Sequence, residues 1–159
     1  MSAETRLAET LGRLGLDMPA APEPKGVYRS VVVVGTLAQT AGHLPMKPGG
    51  ELLSGRLGED LDVELGQEAA RWATLGILAT LRRQCGSLDR VRRVVKVLGM
   101  VNSTADFTQH PAVLNGCSEL LAEVFGPERG VGARSAVGVA ALPLGAAVEI
   151  EALFELETA

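Results

Sequence analysis

The chain has 159 residues, of which 47% are hydrophobic and 3% aromatic, with a net charge of −4 and a pI near 5.2. Length and apolar content exclude a disordered chain and predict one folded domain with a core of Val, Leu, Ala and Ile. The acidity and the shortage of aromatic rings argue against nucleic acid or an anionic membrane as the main partner.

Residues 3–15 place Leu7, Leu11 and Leu14 at helical spacing and predict a short amphipathic helix. Charges run through this segment, so it is not a secretory leader, and no stretch reaches the length of a membrane span. A cytoplasmic location is expected. Residues 17–25 hold three prolines and read as an extended linker. The expected organisation is therefore a helix and linker over 1–24, then the main body over 25–159.

Tyr28 to Val34 is β-branched, Gly35-Thr36 breaks the run, and Leu37 to Leu44 alternates, which predicts two paired antiparallel strands. A Gly- and Pro-rich loop follows over 45–60. Residues 64–84 carry the clearest helical stripe, from Leu65 through Ala69, Trp72, Ala73, Gly76, Ile77 and Thr80 to Leu81, with Gly86 as its C-cap. The segment 90–102 predicts a strand with Val91, Val95, Val97 and Val101 on one face and Val94, Leu98 and Met100 on the other. Such a strand needs cover on both sides, and in a small domain one side is open to another subunit. Residues 111–125 predict a second helix with Pro111 in its first turn. The last strands are expected at 133–142 and 147–156, around a turn at Pro143-Leu144-Gly145. The fold class is α+β: a mixed sheet with two helices on one face, plus the N-terminal helix.

The chemistry concentrates near the C-terminus. Arg134 stands inside a small, apolar run that reads as a buried strand, where a cation needs a partner or an anionic ligand. Arginine grips carboxylates through two parallel hydrogen bonds. Either a structural ion pair with Glu149 or Glu151, or a small-carboxylate site, accounts for it. Glu149 shares strand parity with Glu151 and Glu155, so it also reads as the exposed face of an edge strand. Cys85 and Cys117 form no CxxC pair and read as reduced thiols. His43 and His110 have no neighbours at ligand spacing, so no metal site is read. The basic group Arg90, Arg92, Arg93 and Lys96 reads as a solvated strand start.

Three blocks in order resemble the Rid (YjgF-like) family of reactive-intermediate enamine/imine deaminases. They are Gly26-Val27-Tyr28 with Ala41-Gly42-His43-Leu44-Pro45, then Val101-Asn102-Ser103 through Asp106-Phe107 to Asn115. The third is Ala133-Arg134-Ser135-Ala136-Val137 with Ala141-Leu142-Pro143 and Val148-Glu149-Ile150-Glu151-Ala152. The resemblance covers about Lys25 to Leu156 and implies a chorismate-mutase-like fold and a homotrimer with clefts between subunits. It also implies hydrolysis of 2-aminoacrylate-like enamines or imines to 2-keto acids and ammonia, without metal or cofactor. Under it, Arg134 binds the substrate carboxylate and Glu149 positions or activates water. Tyr28, Asn115, Gly42, His43 and the backbone of Ala136 line the cleft.

The chain departs from the family pattern at Ala41 (commonly Ser), Ala136 (commonly Cys) and His43 (commonly Gln). Its 107–115 segment is long for the family and is expected near the cleft rim. These changes bear on the substrate more than on the fold. A non-catalytic carboxylate-binding protein with the same cleft is the alternative. Endoribonuclease activity, a label some members carry, finds no support in the acidic pI or in any His pair.

Overall fold

The computed structural model describes residues 1–158. Its elements are α1 (Ala3–Leu14), β1 (Val31–Val34), β2 (Leu37–Thr40), α2 (Val63–Cys85), β3 (Val91–Asn102), α3 (His110–Phe125), β4 (Ala133–Val139) and β5 (Val148–Leu156). Short 3-10 turns at Leu88–Arg90 and Pro143–Gly145 link them. The five strands form one mixed sheet in the order β1-β2-β5-β3-β4. Only β3 and β4 run parallel, and α3 is the connection between them. This is the expected α+β class, with α2 and α3 packed together beside the sheet.

α1 forms where the leucine spacing predicts it. Ser2 caps it by accepting a hydrogen bond from the Thr5 N–H at 3.2 Å, and Gly15 ends it in the left-handed region. Leu7 is fully buried in the same core as the sheet. Glu4 accepts hydrogen bonds from the Arg82 side chain and, at 2.8 Å, from the Leu88 N–H. The linker is held too, because Arg83 donates to the Pro22 carbonyl at 3.3 Å.

α2 starts at Asp62, whose side chain accepts from the Leu65 N–H at 2.9 Å, and ends at Gly86 in the left-handed region. Trp72 is core, as its place on the stripe predicts. Leu65, expected on that stripe, is exposed, because α2 enters the core only from Gly66 onward.

Several strand expectations need correction, among them the second strand, which ends at Thr40 rather than Leu44. β1 begins at Val31 rather than Tyr28, because Gly26 to Tyr28 turn back on themselves through a 3.0 Å Tyr28 N–H to Gly26 carbonyl bond. β4 ends at Val139, and it is a partly exposed edge strand rather than a buried one. β5 is not an edge strand, since it lies between β2 and β3. In β3, Val94 joins Val91, Val97 and Val101 on the buried face, and Val95 does not. Register shifts between Val91 and Arg93 and between Val94 and Lys96 break the strict alternation.

One face of the sheet lies under the helices. On the other, Leu98 and Met100 are half-buried, while Val32, Val34, Leu37 and Val137 are exposed. The basic group at the start of β3 is largely paired: Arg92 and Arg93 both reach Glu155, and Lys96 donates to the Ser135 hydroxyl at 2.7 Å. Both cysteines are free thiols. Among the described residues, no helix is long and apolar enough to cross a membrane.

Candidate functional site

β4 and α3 together place Arg134. Arg134 pairs in register with Val97, and Ala136 with Gly99, which puts both on the helix side of the sheet. There the Arg134 Nη1 donates to Asn115 Oδ1 at 2.9 Å and to Ser118 Oγ at 3.1 Å. Both partners are neutral. Among the described residues no carboxylate pairs with this guanidinium, so the structural ion pair with Glu149 or Glu151 does not form within the chain. Ser118 was not among the candidates. It lies three positions after Asn115, one helical turn along the same face, and that spacing is the signal that finds it.

Below this group, Cys117 is fully buried. Burial pushes its thiol up to about 11, against smaller opposing contributions from Thr74 and Arg134.

β5 and the segment after β2 build a second group. Glu149 pairs with Met100 and Glu151 with Leu98, so both carboxylates leave the sheet on the face away from the helices. The chain beyond β2 is tied to β5 by two backbone bonds between His43 and Ile150, at 2.8 and 3.0 Å. This lays Gly42 on the Glu149 carboxylate: a Cβ at Gly42 would fall 2.0 Å from Glu149 Oε1. Only glycine permits that approach. Burial raises the Glu149 pKa, and repulsion from Glu151 adds to it.

Tyr28, Ala41, Gly42, His43, Met46 and Leu144 line a cleft of about 140 Å³ beside it. Tyr28 is 52% exposed, and its hydroxyl accepts from the Lys25 N–H at 3.3 Å.

The His43 ring is 2% exposed and both its nitrogens are engaged. Nδ1 faces the Ala41 carbonyl and Nε2 the Thr80 hydroxyl, each at 2.8 Å. A carbonyl only accepts, so Nδ1 carries the hydrogen and Thr80 donates to Nε2. Burial lowers the ring's pKa, while the Ala41 bond opposes the shift, and the neutral tautomer follows. His43 holds the Ala41–Gly42 turn in place. Thr80, read as an apolar-stripe position, is the residue that fixes it.

The candidates thus divide. Arg134, Asn115 and Ala136 stand on one face of the sheet, whereas Glu149, Gly42 and Tyr28 gather on or beside the other. Within one copy of the chain the two groups do not meet.

The chain matches, over residues 6–156, the family described as "YjgF/chorismate_mutase-like, putative endoribonuclease". It is 47% identical over 154 residues to Protein TCP17 of Trypanosoma cruzi, across 97% of this chain and 96% of that protein. A Shewanella oneidensis crystal structure called a "putative endoribonuclease" superimposes with a TM-score of 0.90 at 33% identity, covering 98% of this chain and 100% of that one. RidA from an Antarctic Psychrobacter superimposes with a TM-score of 0.61 at 29% identity, covering 89% and 98%.

Proposed function

Because this chain belongs to the YjgF/chorismate-mutase-like family, we propose that it hydrolyses small 2-imino and enamine carboxylates to 2-keto acids and ammonia, at clefts closed between subunits of a cytoplasmic homotrimer. One observation carries the reading: a half-buried guanidinium held only by neutral partners, Asn115 and Ser118. Such a group is oriented for a carboxylate that the chain itself does not supply. Assembly is supported by the apolar outer face of the sheet, with Val32, Val34, Leu37 and Val137 exposed. A second copy is also what would bring a Glu149 group against an Arg134 group.

In this reading Arg134 binds and orients the substrate carboxylate. The Ala136 carbonyl accepts a hydrogen bond from the substrate nitrogen. An enamine first takes a proton at its terminal carbon and becomes the protonated imine. Water then adds to C2 of the imine, giving a carbinolamine. Its nitrogen takes up a proton, the C–N bond breaks with the electron pair leaving on nitrogen, and the hydroxyl proton is lost as the keto group forms. Glu149 holds the water and takes its proton, and its raised pKa suits it to hand a proton back. No redox step is involved.

The test is keto-acid release from 2-aminoacrylate and bulkier imino acids generated in situ, wild type against Arg134→Ala with matched melting temperatures. Acceleration lost in the variant is expected. Absence of acceleration with every imine removes the deaminase reading. A carboxylate-binding protein without turnover is favoured by one feature: Ala41 and Ala136 offer no side-chain hydroxyl or thiol for proton transfer. Saturable stabilisation by keto acids with no release of product would establish that alternative.

A further inference from the structure

α2 carries two buried threonines, and they behave differently. The Thr74 hydroxyl donates to the Ala70 carbonyl four residues back, at 2.7 Å. That is how a helical threonine ordinarily satisfies itself. Thr80 reaches out of the helix instead, and its hydroxyl lies 2.8 Å from His43 Nε2. The His43 ring rests against Gly76, one turn earlier, where a Cβ would stand 3.6 Å from His43 Cδ2. α2 therefore gives the ring a bare seat and one donor.

An imidazole and a hydroxyl must both be stripped of water to be buried here, and two apolar side chains would fill the space without that cost. What the polar pair adds is direction. With Thr80 donating to Nε2, the ring hydrogen sits on Nδ1 and is donated to the Ala41 carbonyl at 2.8 Å. The Ala41 N–H is held as well, donating to the Ser30 carbonyl at 2.9 Å.

The Ala41–Gly42 peptide is trans, so its N–H points opposite to its carbonyl. The carbonyl faces the His43 ring and the helices. The Gly42 N–H therefore faces outward, the way Glu149 does, and among the described residues it donates to nothing. The bare Cα of Gly42 faces the same way: a Cβ there would fall 2.8 Å from Glu149 Cδ and 2.9 Å from Cγ. Both the carboxyl and the methylene below it lean on this one glycine. Any rotation of the Ala41–Gly42 peptide would move the surface they lean on.

We propose that Thr80 and His43 are positioning residues for Glu149. The threonine fixes the imidazole, the imidazole fixes the Ala41–Gly42 peptide, and that peptide sets where the Glu149 carboxylate stands. Two 2.8 Å bonds thus connect the buried side of α2 to a carboxylate on the far face of the sheet. This rests on the reading of Glu149 as the group that holds water.

The experiment pairs steady-state keto-acid release, from the imine that the wild type hydrolyses fastest, with NMR of the Gly42 amide and the Glu149 side-chain carboxyl in the isotopically labelled protein. Thr80→Val keeps the shape of the side chain and removes the donor. It lowers kcat by about 10-fold with KM within about 2-fold, and it displaces both signals. Thr80→Ser restores the hydroxyl and returns kcat and both signals toward the wild type. Thr80→Ala removes the same donor from a smaller side chain and carries the comparison if Thr80→Val does not fold.

An unchanged kcat in Thr80→Val overturns the proposal. So does a Thr80→Ser variant as slow as Thr80→Val, which would assign the effect to packing rather than to the hydroxyl. A slower Thr80→Val whose Gly42 and Glu149 signals stay in place overturns it too. If the wild type releases no keto acid from any imine, the deaminase reading falls and the NMR decides alone. Signals displaced in Thr80→Val and restored in Thr80→Ser then uphold the positioning of Glu149, and unmoved signals overturn it.

Discussion

The two faces of the sheet hold opposite charges under opposite conditions. On the helix side, Arg134 is fixed by neutral hydrogen-bond acceptors, and its charge is left for something else. On the outer side, Glu149 is crowded by Glu151, and partial burial makes its charged form less favourable. With the sheet between them, Arg134 and Glu149 do not neutralise one another within one chain. Separation by the sheet keeps both groups chemically available. It also ties any chemistry needing both to the meeting of two chains.

The largest expected effect breaks the Arg134 side. Arg134→Ala lowers keto-acid affinity by about 100-fold, and Arg134→Lys by about 10-fold, since lysine keeps the charge but loses the planar fork. Titration calorimetry measures both, and equal affinity in all three proteins would mean that the guanidinium is structural.

Next in size is Gly116→Ala. A Cβ there would sit 2.1 Å from the Gln67 carbonyl oxygen, forcing α3 away from α2 and displacing the adjacent Asn115. A stability loss of about 2–3 kcal/mol is expected from urea unfolding.

Gly42→Ala acts on the other face. It displaces the Glu149 carboxylate, so imine turnover falls by about 10-fold while stability changes by less than about 1 kcal/mol, because a flexible side chain yields more easily than backbone. Comparing turnover and urea midpoints for the two glycine variants sharpens the contrast between the faces.

The smallest effect concerns pH. If the ionised Glu149 takes the proton from water, activity falls on acidification through a pKa above the usual glutamate value, and Glu149→Gln removes that limb of the rate profile. The stability effect has the opposite sense. A carboxyl whose pKa is raised by folding favours the native state while protonated, and that contribution is lost as pH rises through the raised value. Glu149→Gln is therefore slightly more stable than wild type near pH 7, with the advantage shrinking toward the carboxylate range. Thermal melts across pH read this directly.

The order of strands and helices was legible because each element has a strong local signature. The Leu7–Leu11–Leu14 spacing, the α2 stripe closed by Gly86 and the valine-rich run of β3 are examples. Arg134 stood out for the same kind of reason, as a lone cation among small apolar residues. What was not legible depends on pairing across the sheet. No local pattern announces the two register shifts in β3, so Val94 and Val95 exchanged faces. Nor does any local pattern place β5 at the centre of the sheet, or assign Arg134 and Glu149 to opposite sides. The bonds of Arg134 to Ser118 and of His43 to Thr80 needed the packed helices before they could be seen.

The position of β5 also bears on how the protein is made. It is the last strand in chain order but the third of five across the sheet. During synthesis, the β1–β2 hairpin and the β3–α3–β4 unit emerge first, each with a hydrogen-bonding edge that only Val148–Leu156 can fill. Until that segment leaves the ribosome, the nascent chain is two fragments with unpaired edges, open to pairing with other chains. Release of the final strand joins them.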